Sequence, residues 1–179
     1  MSKVNLNSLI ENLDSQHIEQ QIPAIEQASD VVNTLAIKAV ESLETSPNRF
    51  LVAERLSRFG SVIVPHLEKL LKESVHSEVQ ILTSLVLLQL NSRSGIPFLL
   101  NAVKDDEEYA ILAAQHLAKI GFEDAIEPIC DRLRNSSLEE VDLIVSLLDS
   151  LDKLNSKLPP DLLQRFSFDN ISWQIKTKL

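Results

Sequence analysis

Glycine is nearly missing from this chain, with three in 179 residues against an average of about 7 %. Folds made of hairpins and tight turns draw on glycine for their left-handed corners, so this shortage favours an all-helical architecture. Aromatic side chains are scarce too, at 4 % within a hydrophobic fraction of 44 %, so Leu, Ile, Val and Ala must supply nearly all the packing. Cys130 is the one cysteine, which excludes an intrachain disulfide and suits a reducing compartment. No long apolar run exists. The longest, Val79 to Leu90, is interrupted by Gln80, Thr83, Ser84 and Gln89, and it falls short of the roughly 20 residues a membrane span needs. The first residues, MSKVNLNSLIENLDSQ, carry neither the apolar stretch nor the cleavage pattern of a signal peptide. A soluble cytoplasmic protein without membrane contact is expected.

Basic charge is also short. Seventeen Lys and Arg face 26 Asp and Glu, for a net charge of -9. Such a balance repels a phosphate backbone and gives no support to nucleic-acid binding. The charge is uneven: residues 121–156 hold nine acids and three bases, whereas residues 46–75 hold five bases and three acids. Solvated helix faces account for most charge of this kind.

What the chain does have is a period. Pro65, Pro97 and Pro128 follow one another at 32 and 31 residues, and each sits in an apolar run: IVPHLEKLL, GIPFLLNAV, IEPICDRLR. A second helical pattern follows each run. A two-helix unit of about 30 residues that recurs implies a solenoid, in which each unit buries its apolar face on its neighbours. The expected helices of the regular part are 62–73 and 77–90, then 96–104 and 106–120, then 124–133 and 138–154. The second, 77–90, with Ile81, Leu82, Leu85, Val86, Leu87, Leu88 and Leu90, is apolar nearly all round and belongs between neighbours. Gly60 and Gly121 close helices and Gly95 precedes one. Ser136 or Ser137 suits the cap of the last helix, with Glu139 and Glu140 near its positive end.

The N-terminal third is helical but less regular. Leu9, Ile10 and Leu13 suit a first helix, and Pro23 starts or kinks a second. Val31 to Leu43 carries a helical pattern that Asp30 would cap, and Ser46-Pro47 restarts the chain into a helix ending at Gly60. After Pro159-Pro160 the character changes. Ile171, Trp173 and Ile175 alternate with polar residues, as in a strand or an extended packed tail. Phe166, Phe168 and Trp173 are suitable material for capping a solenoid end, with partner docking and a disordered tail as the alternatives. The expected organisation is one domain over residues 1–158, regular from about 60 to 154, and a C-terminal cap over 159–179.

The stretch VKDDEEYAILAAQHLAKIG, Val103 to Gly121, resembles the second helix of a short HEAT repeat of the kind also found in phycobilisome lyases. An acidic turn at Asp105, then Ala113-Ala114, Leu117, and the closing Ile120-Gly121 carry the likeness. The Arg that short HEAT units place early in this helix is absent, with Ala110, Gln80 and Asp142 near the corresponding positions. The resemblance implies a right-handed α-solenoid of antiparallel helical hairpins, a HEAT- or armadillo-like superhelix. It also implies a work of binding rather than turnover: an adaptor, assembly factor or immunity-type binder. A bilin lyase or chromophore-handling chaperone for phycobiliproteins is the alternative that it brings.

No catalytic, cofactor-binding or metal constellation stands out. His17, His66, His76 and His116 lie at no ligand-like spacing, and no H-E-x-x-H or paired-cysteine pattern exists. Cys130 occupies the position equivalent to Leu67 and Leu99, which makes it a small core residue. Four acids at 105–108 suit a helix start better than a cation site. What the pattern does offer is a strip. Asp142, Ser146 and Asp149 share a helix face, and one period back stands Gln115, two periods back Gln80 and Ser84. Gln80, Ser84, Gln115, Asp142, Ser146 and Asp149 would form a polar, acidic ridge for a basic or polar segment of another protein. Leu85, Leu87 and Leu117 are the expected core positions.

Overall fold

The computed structural model describes residues 5–167 and 171–179, and all regular structure among them is helical. The helices are α1 (Leu6–Leu13), α2 (Ile18–Thr45), α3 (Arg49–Leu56), α4 (Val64–Glu73), α5 (Ser77–Gln89), α6 (Ile96–Asp105), α7 (Ala110–Lys119), α8 (Ile126–Asn135), α9 (Val141–Lys153), α10 (Pro160–Phe166) and α11 (Trp173–Lys176). Short 3-10 segments, Ser57–Ile63 and Glu123–Ala125, lead into α4 and α8.

Proline and the left-handed conformation punctuate this series. Pro65 and Pro97 stand in the first turns of α4 and α6, where no intrahelical hydrogen bond is lost. The positive φ values among the described residues are at Gly60, inside the 3-10 segment after α3, and at Asn91, Gly121 and Asn155, each just past an α-helix, at intervals of 31, 30 and 34 residues. At the last three, the next residue's N–H reaches back to the helix. Ser92 bonds the Leu87 carbonyl at 2.9 Å, Phe122 that of Leu117 at 3.0 Å, and Ser156 that of Leu151 at 3.0 Å. This is the Schellman closure, and it satisfies carbonyls that α5, α7 and α9 would otherwise leave open.

Six sequence-adjacent pairs pack together, α1 on α2, α2 on α3, α4 on α5, α5 on α6, α6 on α7 and α8 on α9, and so do pairs two apart: α2 on α4, α3 on α5, α5 on α7, α6 on α8, and α7 on α9. The core is aliphatic, as the composition requires. Val79 and the whole run from Ile81 to Leu88 are buried on α5, and Leu117, Ile129, Cys130, Leu133, Ile144 and Leu147 are fully covered. Leu85, Leu87 and Leu117 are all inside. At Gly95, ahead of α6, a Cβ would lie 2.5 Å from Ser84 Cβ and 2.6 Å from Ser84 Cα. Only the absent side chain lets α6 approach α5 this closely.

Four expectations of local structure need correction. Neither Ser136 nor Ser137 caps α9, which begins at Val141 behind Glu140. Asp30 caps nothing, because α2 runs unbroken from Ile18 to Thr45 with Pro23 inside it. The proline removes the N–H that would bond the Glu19 carbonyl, yet Ala24 beside it is buried and α1 packs on α2. The restart after Ser46 comes at Arg49, and that helix ends at Leu56, with Gly60 inside the 3-10 segment that follows. At the C-terminus, Ile171, Trp173 and Ile175 form no strand. Trp173–Lys176 is a single helical turn packed on α9, with Ile175 buried and Trp173 72 % exposed. Phe166 is fully buried and α10 contacts α8, while Phe168 lies outside the described residues.

Candidate functional site

The six residues of the expected strip are not brought onto one open face. Ser84 is fully buried against Gly95, and its Oγ donates to the Gln80 carbonyl at 2.7 Å. Gln80 is half-buried and lines a cleft between α5 and α6 with Phe98, Asn101 and Asp105, while its Nε2 donates to the Ser74 carbonyl at 2.8 Å. Gln115 and Ser146 are half-covered, and Asp149 pairs with Lys178 at 2.6 Å, so the C-terminal tail occupies it. Asp142 stays exposed. The helical phase was sound, but on α5 this face is the one that α6 leans on. A polar residue there serves the neighbouring helix rather than solvent.

A different face of α5 and α7 remains open. An apolar groove of about 190 Å³ crosses α3, α5 and α7. Leu82, Leu85, Val86 and Leu112 floor it, and Phe50, Glu54, Gln89 and His116 stand around it. Phe50 is 45 % exposed, a large apolar side chain left at the mouth. His116 Nδ1 donates to the Leu112 carbonyl at 2.9 Å, which leaves Nε2 as the ring's other polar atom. The sequence gives little sign of this groove, because its floor reads as ordinary core.

The three helices of the groove are tied at one end. Arg49, the first residue of α3, meets Glu78 on α5 at 2.5 Å. The other oxygen of Glu78 accepts the Tyr109 hydroxyl at 3.1 Å, just ahead of α7. Burial, with the Glu78 bond adding to it, pushes the Tyr109 hydroxyl up to about 12. Other arginines close the ends of α6 and α8. Arg132 donates to the Lys104 carbonyl at 2.9 Å, and Arg165 donates to the carbonyls of Arg134 and Ser136. Arg134 itself binds Asp161, Glu127 and Asp131, each at 2.8 Å, which holds the Asp161 carboxyl below the usual carboxylate range. Hydrogen bonds from Ser94 and then Ser92 lower Glu68 in the same direction.

Little else here is equipped for chemistry. Burial raises the Cys130 thiol to about 11, with the Glu127 charge adding to it, so the thiolate that a nucleophile needs is disfavoured. Asp106, among the four acids at 105–108, accepts the backbone N–H groups of Glu108 and Tyr109 and so organises the entry to α7. Among the described residues, no group of three or more His, Cys, Asp or Glu is placed to hold a metal ion, and no helix is long and apolar enough to cross a membrane. No protein-family model, no curated protein and no solved structure matches this chain.

Proposed function

We propose that this chain is an α-solenoid of helical hairpins that works by stoichiometric binding of another protein, with the groove across α3, α5 and α7 as its contact surface. One observation carries the reading. Helix α3 packs on α5 and α5 on α7, so the three lie side by side and share one apolar channel. The recurrence of left-handed residues past α5, α7 and α9, and the HEAT-like pattern of Val103 to Gly121, support the same arrangement. An apolar floor with a few polar groups around it is the composition of a peptide-docking groove, where an inserted side chain supplies affinity and the rim sets orientation. The partner fills this channel with an apolar anchor.

Photocrosslinking in lysate of the source cell tests this. A photoreactive phenylalanine analogue at Phe50 and at Gln89 should yield the same crosslinked protein, and one at Lys104, on α6, should not. Loss of that product on Leu112→Glu, with folding intact by circular dichroism, completes the expected pattern. Equal products from all three positions, or none from the groove, would end the assignment.

A further inference from the structure

Helix α2 carries one apolar stripe along its whole length, and only half of it is covered. Ala36, Val40 and Leu43 lie on this stripe and are buried in the main core. Continue it toward the N-terminus at three- and four-residue steps and the positions are Val32, Ser29, Ile25, Ile22 and Ile18, on the same side of the helix. These are not covered: Ile18 is 66 % exposed, Ile22 51 %, Ile25 55 % and Val32 48 %. Helix α1 packs on the adjoining side, where Leu9 and Ala24 are buried, and it leaves Leu6 and Ile10 open as well. The stripe is the continuation of an internal packing surface beyond the edge of the helices that cover it.

Charge indicates what completes it. From Asn5 to Ile37 the chain has no Lys or Arg, but it has Glu11, Asp14, Glu19, Glu26 and Asp30. Glu19, Glu26 and Asp30 fall together along one border of the stripe. A second copy of this chain would set those carboxylates against their own kind, and an anionic lipid surface would be repelled in the same way. A helix with an apolar face and lysine or arginine on its flanks meets both requirements at once. The run from Ile18 to Val32 is about 21 Å long at 1.5 Å per residue, room for about four turns of such a helix.

We propose that the exposed half of the α2 stripe is a second docking site, which takes a basic amphipathic helix from another protein. This site lies apart from the α3–α5–α7 groove and stands or falls independently of it.

A fluorescent synthetic peptide of about 15 residues, with Leu at helical three- and four-residue spacing and Lys at its flanks, serves as the probe. Titrated with the full chain at low salt and followed by anisotropy, it should bind saturably, and added salt should weaken it. Ile22→Gln and Ile25→Gln should each weaken it by at least about tenfold, without moving the thermal melt. Val75→Gln, at an exposed position elsewhere, and Phe50→Gln, in the groove, should leave its affinity unchanged. The proposal fails if the Ile22 and Ile25 variants bind like the parent, or if a peptide with Glu in place of Lys binds equally well. It fails equally if sedimentation shows a dimer of the free chain that those two substitutions dissolve, because a second copy would then be the occupant.

Discussion

Helices α2 and α5 invite comparison because both carry apolar residues in helical register, yet they end in opposite situations. Nine of the thirteen residues of α5 are buried, whereas α2 buries four of 28. The difference does not lie in the helices alone. α5 has α3 on one side, α7 on the other, and α4 and α6 against it. The first half of α2 has the short α1, and its buried residues beyond Ala24 begin only at Ala36. Burial is a property of neighbours on both sides. An apolar stripe says that a helix can be covered and leaves open whether this chain does the covering.

The sharpest way to break this contrast is Leu117→Ala, at a fully buried site on α7. It should lose about 4 kcal/mol in denaturant unfolding, as cavity formation adds to lost transfer energy. Next comes Gly95→Ala, which should cost about 3 kcal/mol because the added methyl meets Ser84 Cβ and Cα, atoms that the α5 backbone fixes in place. A melt as high as that of the parent would mean that α5 and α6 are farther apart than described.

Smaller effects sharpen the picture inside the body. Thr83 is fully buried and its hydroxyl finds no partner among the described residues. Thr83→Val should therefore stabilise the chain by about 1 kcal/mol, read in the same unfolding experiment. Tyr109→Phe should cost about 1 kcal/mol through the lost bond to Glu78. It should also change the alkaline limb. In the parent, Tyr109 is raised from 10.0 to about 12, so the folded state keeps a proton that the unfolded state gives up. Stability from this group is complete below pH 10 and falls as pH rises toward about 12. The variant should lack that fall, and phenolate absorbance reports it directly because the chain has a single tyrosine. The smallest effect belongs to the first half of α2. Ile25→Ala should stay within about 0.5 kcal/mol of the parent, since Ile25 is 55 % exposed. A loss as large as at Leu117 would mean that something already covers the stripe.

Much of the fold could be read in the residues. Pro65 and Pro97 mark helix starts, Gly121 marks an end, and the crowded apolar run from Ile81 to Leu88 is as buried as its pattern demands. Two helix ends, expected at Leu90 and Leu154, fall within a residue of those positions, but the way they close escaped notice. Asn91 and Asn155 take the left-handed conformation without glycine, and the triplet Leu-Asn-Ser at both places was the available signal. Pro23 misled in the other direction, since one missing N–H does not end a long helix that packing supports. The strip was harder. Period and phase put Ser84, Gln115 and Ser146 in register, but neither says which side of a helix the following hairpin leans on. That depends on contacts such as Gly95 on Ser84, which join residues through space.

The Arg49–Glu78–Tyr109 link has a mechanical corollary. It fastens α3, α5 and α7 to one another where each begins, whereas at the far tips of α5 and α7 the closing backbone bonds, Ser92 to Leu87 and Phe122 to Leu117, stay within each helix. Sheets of a book bound at the spine spread only at the outer margin. These three helices should flex in that manner, so a guest that wedges between them widens the channel from its unfastened rim while the bound rim sets how far they part.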